Sequence, residues 1–118
     1  MPRILLAEDD ESMIYLLKTL FMLEGLEAVT MNPKERVVDV IKRERPDAVL
    51  LDVHLGESNG MDIMRAIRKD EETRNTVVIM CSGMSLNYEC LEAGANDFVL
   101  KPYMPDDLLR IIKKHLPT

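Results

Sequence analysis

Tryptophan is absent from the 118 residues, phenylalanine occurs twice and tyrosine three times. With 47% of the chain hydrophobic, any core is therefore aliphatic, and disorder is not expected. Cysteine is equally scarce. Cys81 and Cys90 are the only two and have no paired metal-type spacing, which excludes a disulfide framework and a zinc site. No apolar run approaches the ~18 residues that a membrane span needs. Basic residues are outnumbered, 15 against 21 acidic, giving a net charge of −6 and a pI near 4.9. That balance argues against direct nucleic-acid binding, which calls for a basic face. The N-terminal residues lack the basic, apolar and small-residue sections of a signal peptide. There is no internal repeat, low-complexity tract or linker. The expectation is one acidic cytoplasmic domain over residues 1–118, large enough to hold a single core without staples.

What is present is an alternation of short apolar runs with helical patterns. Ile4 to Ala7 reads as a buried strand that stops at Glu8-Asp9-Asp10, and Met13, Leu16, Leu17, Leu20 and Leu23 follow at helical spacing before Gly25. Leu26 to Thr30 suits a second strand. Asn32-Pro33 reads as the cap and first residue of a helix that carries Val37, Val40 and Ile41 inward. After Pro46, Ala48 to Leu51 is a third strand ending at Asp52. Gly56 and Asn59-Gly60 mark a loop, and Met61, Met64 and Ile67 stripe the next helix. Thr76 to Cys81 is a fourth strand, Tyr88 to Ala93 a short helix, Phe98 to Leu100 a fifth strand, and Leu108 to Leu116 a last helix. Five strands alternating with five helices predict an α/β unit around a parallel sheet.

The polar residues stand at the strand ends. Glu8 and Asp9 follow strand one, Asp52 strand three, Ser82 strand four and Lys101 strand five. In an open parallel sheet these ends share one edge, where ligands bind. Three carboxylates crowded there would raise one another's pKa. A hard divalent cation such as Mg2+ relieves that crowding through oxygen ligands and retained water. The chemistry such a set suits is phosphoryl transfer to a carboxylate. Asp52 would be the nucleophile, Lys101 and Ser82 would meet phosphoryl oxygens, and the cation would spread the developing charge.

The segments Ile4-Leu5-Leu6-Ala7-Glu8-Asp9-Asp10, Leu50-Leu51-Asp52 with Gly60 eight residues on, Cys81-Ser82-Gly83, and Ala93-Gly94-Ala95-Asn96-Asp97-Phe98 followed by Lys101-Pro102-Tyr103 run through the chain in that order. Together they resemble the receiver domain of two-component response regulators over essentially the whole length. The resemblance implies a CheY-like, flavodoxin-like doubly wound (βα)5 fold with strand order 2-1-3-4-5. It implies that Asp52 accepts a phosphoryl group from a sensor histidine kinase or a histidine phosphotransfer protein. The metal, Mg2+ or Mn2+, would be held by Asp9 and Asp52 directly, by Glu8 through water, and by the backbone carbonyl of His54. Ser82 would be the switch hydroxyl, Phe98 the switch aromatic and Lys101 the phosphate-binding lysine, with a cis bond before Pro102.

Several positions depart from the family pattern. Gly56 stands where the loop after the phosphoacceptor usually has proline, and Phe98 lacks the hydroxyl of a switch tyrosine. The segment from Ser82 to Phe98 is about three residues shorter than in common receivers, so the fourth helix is expected to be clipped at its start. The output is expected to be a downstream protein target or an effector domain outside this sequence, and the domain a monomer or a weak phosphorylation-dependent dimer. Among other functions, a small Mg2+-dependent aspartyl-phosphate phosphatase would pair the nucleophile with an Asp two residues on, where His54 stands. An FMN carrier would need a phosphate-cradling loop where Glu8-Asp9-Asp10 stands. A receiver fold kept only for protein contacts is the remaining alternative. His54 and His115 read as exposed loop and helix positions, Cys81 as a small buried hydrophobe and Cys90 as partly buried. The nine methionines read mostly as core, with Met84 and Met104 set aside as adaptable contact residues.

Overall fold

Five short runs become five parallel strands in a computed structural model that describes residues 1–117; Thr118, the end of the expected domain, lies outside them. The elements are β1 (Arg3–Ala7), α1 (Glu11–Leu23), β2 (Glu27–Thr30), α2 (Val37–Glu44), β3 (Ala48–Asp52), the two-residue strands β4 (His54–Leu55) and β5 (Ser58–Asn59), α3 (Gly60–Lys69), β6 (Val78–Ser82), α4 (Asn87–Glu92), β7 (Asp97–Leu100) and α5 (Pro105–His115). The main sheet has the order β2-β1-β3-β6-β7 and is parallel throughout. With β6 and β7 as the fourth and fifth sheet strands, this is the expected 2-1-3-4-5 arrangement. No helix is long and apolar enough to cross a membrane among the described residues.

Alternation along the strands divides the core into two layers. Leu5, Ala7, Val49, Leu51, Val78 and Met80 face one side, with Val40 and Ile41 of α2, Met64 and Ile67 of α3 and Cys90 of α4. Ile4, Leu6, Leu50, Ile79, Cys81 and Val99 face the other, with Leu17 and Phe21 of α1 and Leu108, Leu109 and Ile112 of α5. Helices thus cover both faces, which is why the strands read as continuous apolar runs. Each fully buried side chain of this size contributes about 1.5–3 kcal/mol of transfer free energy, so the sheet is a rigid platform for whatever stands at its ends.

Four readings are corrected. Asn32-Pro33 does not open α2. The Asn32 carboxamide accepts from the Lys34 N–H and the Glu35 carboxylate accepts from the Asn32 N–H, closing an isolated turn. Arg36 is then extended (φ −87°, ψ 137°), so α2 starts at Val37 with no side-chain cap. The fourth main strand begins and ends two positions and one position later than expected, at Val78 and Ser82. Cys90 is fully buried rather than partly so. Of the methionines only Met64 and Met80 are core residues, while Met1, Met22, Met84 and Met104 are exposed. A flexible thioether tolerates either setting, and helical spacing alone does not tell the two apart.

Candidate functional site

Because every strand of the main sheet runs the same way, residues that end or follow β1, β3, β6 and β7 meet at one edge. Asp52 is the last residue of β3 and lies in register with Cys81 of β6. Its carboxylate is 8% exposed at residue level and doubly held: Oδ1 accepts from the His54 N–H at 3.0 Å and Oδ2 from the Lys101 ammonium at 2.6 Å. Glu8, one residue past β1, is equally buried. Its Oε2 accepts from the same Lys101 nitrogen at 3.0 Å, and its Oε1 from the N–H groups of Asp9 and Asp10 at 3.2 and 3.1 Å. Lys101 follows β7, and its bond to Pro102 is cis, as the resemblance implies.

Two carboxylates and one ammonium leave this buried group one negative charge in excess. The electrostatics reflect it. Burial, with the Asp52 charge adding to it, pushes the Glu8 carboxyl above the usual glutamate value, against the opposing pull of Lys101 and the Asp10 N–H. Burial alone would lower the Lys101 ammonium, but its hydrogen bonds to Asp52 and Glu8 outweigh that and hold it well above the ordinary lysine value. Lys101 is therefore a fixed cation. The donor set fits a hard divalent cation: carboxylate oxygens with unshared lone pairs, an uncompensated charge, and an exposed carboxylate, Asp9, on the rim.

The sequence-predicted residues do not all gather equally. Glu8, Asp52 and Lys101 form one bonded cluster. Asp9 is exposed, and its Oδ2 accepts from the Gly56 N–H at 2.9 Å, which ties β1 to the β4–β5 hairpin. Ser82 is 1% exposed at the end of β6, with its Oγ accepting from the Met84 N–H at 3.1 Å. Phe98 is half-buried against the α2–α3–α4 layer. The His54 ring is exposed, but the residue sits in β4 rather than in a loop. His115 is not an exposed helix position: it is half-buried at the other end of the sheet, with Nε2 3.0 Å from Asp97 Oδ2.

Two residues quoted in the sequence motifs have roles at the site that the sequence reading did not give. Cys81 brings its Sγ to within 4.8 Å of Glu8 and Asp52 carboxylate oxygens. Burial pushes its thiol up to about 12, and it hydrogen-bonds weakly to the Leu51 carbonyl, so it lines the cluster as a neutral group. Its pairing with Asp52 in the register was the available signal. Gly60 is the second. A Cβ there would lie 2.6–2.7 Å from the backbone of Asp52 and Val53, so only glycine lets α3 start directly beneath the phosphoacceptor candidate. Gly56, which stands where the family usually has proline, has φ +59° at the hairpin turn, a conformation that glycine adopts at little cost.

The sequence profile described as the response regulator receiver domain matches residues 4–113. The chain is 32% identical to the chemotaxis protein CheY of Bacillus subtilis, covering 97% of both chains. It is 30% identical to the DNA-binding response regulator MtrA of Mycolicibacterium smegmatis, over 97% of its own length but 50% of that protein. It thus spans about half the length of the first curated relatives it matches. Its fold also superposes on the receiver domain of a sensor histidine kinase from Pseudomonas aeruginosa, crystallised with a magnesium ion coordinated in the active-site cleft. That match has a TM-score of 0.82, 28% identity, and covers 96% and 95% of the two chains.

Proposed function

Since this chain belongs to the response regulator receiver domain family of two-component signalling, we propose that Asp52 is its phosphoacceptor. The observation that carries the reading is the Asp52 carboxylate at the end of β3, held between the His54 N–H and the Lys101 ammonium beside a second buried carboxylate. A carboxylate oxygen of Asp52 attacks the phosphorus of a phosphohistidine. The P–N bond breaks, the imidazole leaves with its electron pair, and an acyl phosphate forms. Lys101 neutralises a phosphoryl oxygen as a point charge. The Ser82 hydroxyl, now accepting from Met84, turns its proton toward another. Phe98, half-buried, follows the space that Ser82 vacates. Glu8, Asp9, Asp52 and the His54 carbonyl would hold Mg2+ or Mn2+, which supplies charge neutralisation between carboxylates and phosphoryl oxygens.

On this reading the donor is a sensor histidine kinase or a histidine phosphotransfer protein of the cytosol. The readout is a protein target or an effector domain outside this sequence, reached through a monomer or a weak phosphorylation-dependent dimer. The domain itself grips no nucleic acid, and the only turnover it catalyses is its own phosphorylation and dephosphorylation. Residues 1–118 act as one unit. The phosphatase alternative is disfavoured because His54 stands where a second aspartate would be needed.

The test is intact-protein mass after incubation with acetyl phosphate, with and without Mg2+, for wild type and Asp52→Ala. One phosphoryl adduct that requires both Mg2+ and Asp52 is expected. An adduct that survives Asp52→Ala would overturn the assignment. No adduct together with no Mg2+ binding would leave a fold kept for protein contacts.

A further inference from the structure

α1 is covered on one side only. Leu17 and Phe21 are buried on the sheet, with Met13 and Leu20 packed beside them. The opposite face carries Tyr15, Leu16, Met22 and Leu23, which are 76%, 56%, 69% and 76% exposed. The outer faces of α3 and α5 carry charge instead: Asp62, Arg65 and Lys69 on one, Asp106, Arg110 and Lys114 on the other. Between Ser12 and Leu23 the one charged residue is Lys18. In a chain with 31% charged residues, an uninterrupted apolar face of this kind marks an interaction surface.

The spacing points to the occupant. Tyr15 and Leu16 stand four and three positions before Thr19, and Met22 and Leu23 three and four positions after it. These are the offsets that share one face of a helix, and they are symmetric about Thr19. A two-fold axis crossing α1 at Thr19 lays an antiparallel copy along it. Tyr15 then meets Leu23 of the second copy, and Leu16 meets Met22 of the second copy. An isologous contact requires such self-complementarity, whereas a foreign partner does not. Thr19 also suits the crossing point: it is small, and its hydroxyl already donates to the Tyr15 carbonyl at 3.1 Å, so its burial strands no donor. Charge agrees. Two chains of net charge −6 repel each other, and an acid-free face with one lysine is where they can approach.

We infer that α1 is a self-association surface through which two copies of this chain pair antiparallel about Thr19. The four side chains expose on the order of 500 Å2 per copy. That gives about 1,000 Å2 for the pair, the size of a weak, reversible contact and not of a permanent dimer. Asp10 caps α1 beside the phosphoacceptor edge, so antiparallel pairing sets the two edges at opposite ends and leaves both open. The inference does not depend on Asp52 accepting a phosphoryl group.

Sedimentation equilibrium of the chain from about 20 µM to about 1 mM should show a monomer–dimer equilibrium. Raising salt from about 20 to about 300 mM should strengthen it, because screening weakens the repulsion between like-charged copies. Leu16→Glu with Met22→Glu should weaken pairing about tenfold or more by setting like charges opposite each other. Both positions are exposed in the monomer, so the unfolding midpoint should stay where it is. Thr19→Cys reads the register. Helix axes about 8–10 Å apart bring the two substituted positions within disulfide reach, so oxidised glutathione should crosslink this variant readily. Tyr15→Cys, displaced about 12 Å along the axis from its own counterpart, should crosslink far more slowly. Cys81 and Cys90 are buried and do not compete. A chain that stays monomeric at about 1 mM would overturn the inference. So would association that survives Leu16→Glu with Met22→Glu, or that is lost instead on Tyr88→Glu with Leu91→Glu in α4. Equal crosslinking of Thr19→Cys and Tyr15→Cys would overturn the antiparallel register.

Discussion

The two ends of the same parallel sheet solve the problem of buried polar groups in opposite ways. At the end where β1, β3, β6 and β7 finish, two buried carboxylates share one lysine, and burial leaves Glu8 reluctant to ionise. At the end where the strands begin, polar groups find their partners locally. The Arg3 N–H donates to Asp47 at 2.7 Å while its guanidinium pairs with Glu44 at 2.7 Å and Glu27 at 3.5 Å. Asp97 at the start of β7 faces His115 and Lys114 of α5. Arg68 donates to the carbonyls of Gly94, Arg74 and Thr76 and to the Asn96 carboxamide. One end is closed by its own partners. The other holds an excess of negative charge that a hard divalent cation would relieve. The lesson is that the incompletely balanced end is the one with chemistry left to do.

The largest expected effect lies at the closed end. Arg68 is a partly buried cation with no carboxylate partner among the described residues; burial lowers its pKa, and its four acceptors compensate for lost water. Arg68→Ala would leave carbonyls of three segments without their donor, at a cost of about 3 kcal/mol in urea unfolding. Arg68→Lys should recover little, because one ammonium cannot reproduce the planar fork that spans α3, the turn after it and the entry to β7. The loss should not change between pH 5 and 8. A cost below about 1 kcal/mol would mean that the end is held by its backbone ladder and not by this side chain.

At the open end the sign depends on which charge is removed. Lys101→Met takes away the shared cation and should cost about 2 kcal/mol at neutral pH without Mg2+, less than a fully buried pair because Lys101 is partly exposed. That cost should shrink as pH falls. Glu8 has a folded pKa raised above its ordinary value of 4.5, so the folded chain holds more protons between those two values. Stability therefore drops as pH rises through that window and returns as pH falls. Asp52→Asn should do the reverse of Lys101→Met. It relieves the excess charge and should raise stability by about 1 kcal/mol, or roughly 4 °C in melting midpoint, in Mg2+-free buffer. Added Mg2+ should erase that gain by stabilising wild type alone. A lower melting point for Asp52→Asn without metal would remove the contrast between the two ends.

Most of this architecture is legible in the sequence because buried parallel strands leave continuous apolar runs. Runs such as Ala48–Leu51 are apolar on both faces, and each stops at the residue that matters. Once the alternation fixes a parallel sheet, Glu8, Asp52, Ser82 and Lys101 must share an edge. What stayed hidden depended on contacts outside any local pattern. Asn32-Pro33 carries every sign of a helix start, yet Glu35 reaches back to close the turn and Arg36 breaks it. The β4–β5 hairpin has too few residues to leave a periodicity. His115 looks like a solvent position because its partner, Asp97, comes from another element 18 residues earlier. Asp9 illustrates the same limit from the other side: its place in the sequence puts it at the edge, but only the fold shows its carboxylate turned toward Gly56.

Asp97 gives the smallest effect and the finest test of the balanced end. Burial by itself would raise its pKa, but hydrogen bonds from His115 and the Phe98 N–H, together with the Lys114 charge, outweigh burial and hold the carboxyl below the usual aspartate value. A folded pKa depressed below 3.8 means that the unfolded chain binds more protons through that region. The stabilisation is therefore fully present above the ordinary value and is lost as pH falls through the folded one. Asp97→Asn removes the titrating group while keeping an oxygen for the Phe98 N–H, so its cost should stay below about 1 kcal/mol at pH 7. Urea unfolding of wild type and variant should differ by a constant amount from pH 7 down to about 4 and converge below that. This trend is opposite in sign to that of Glu8, whose contribution improves on acidification. If the two curves stay parallel into acid, the carboxylate's charge is not what His115 and Lys114 recognise, and the closed end owes its stability to hydrogen-bond geometry alone.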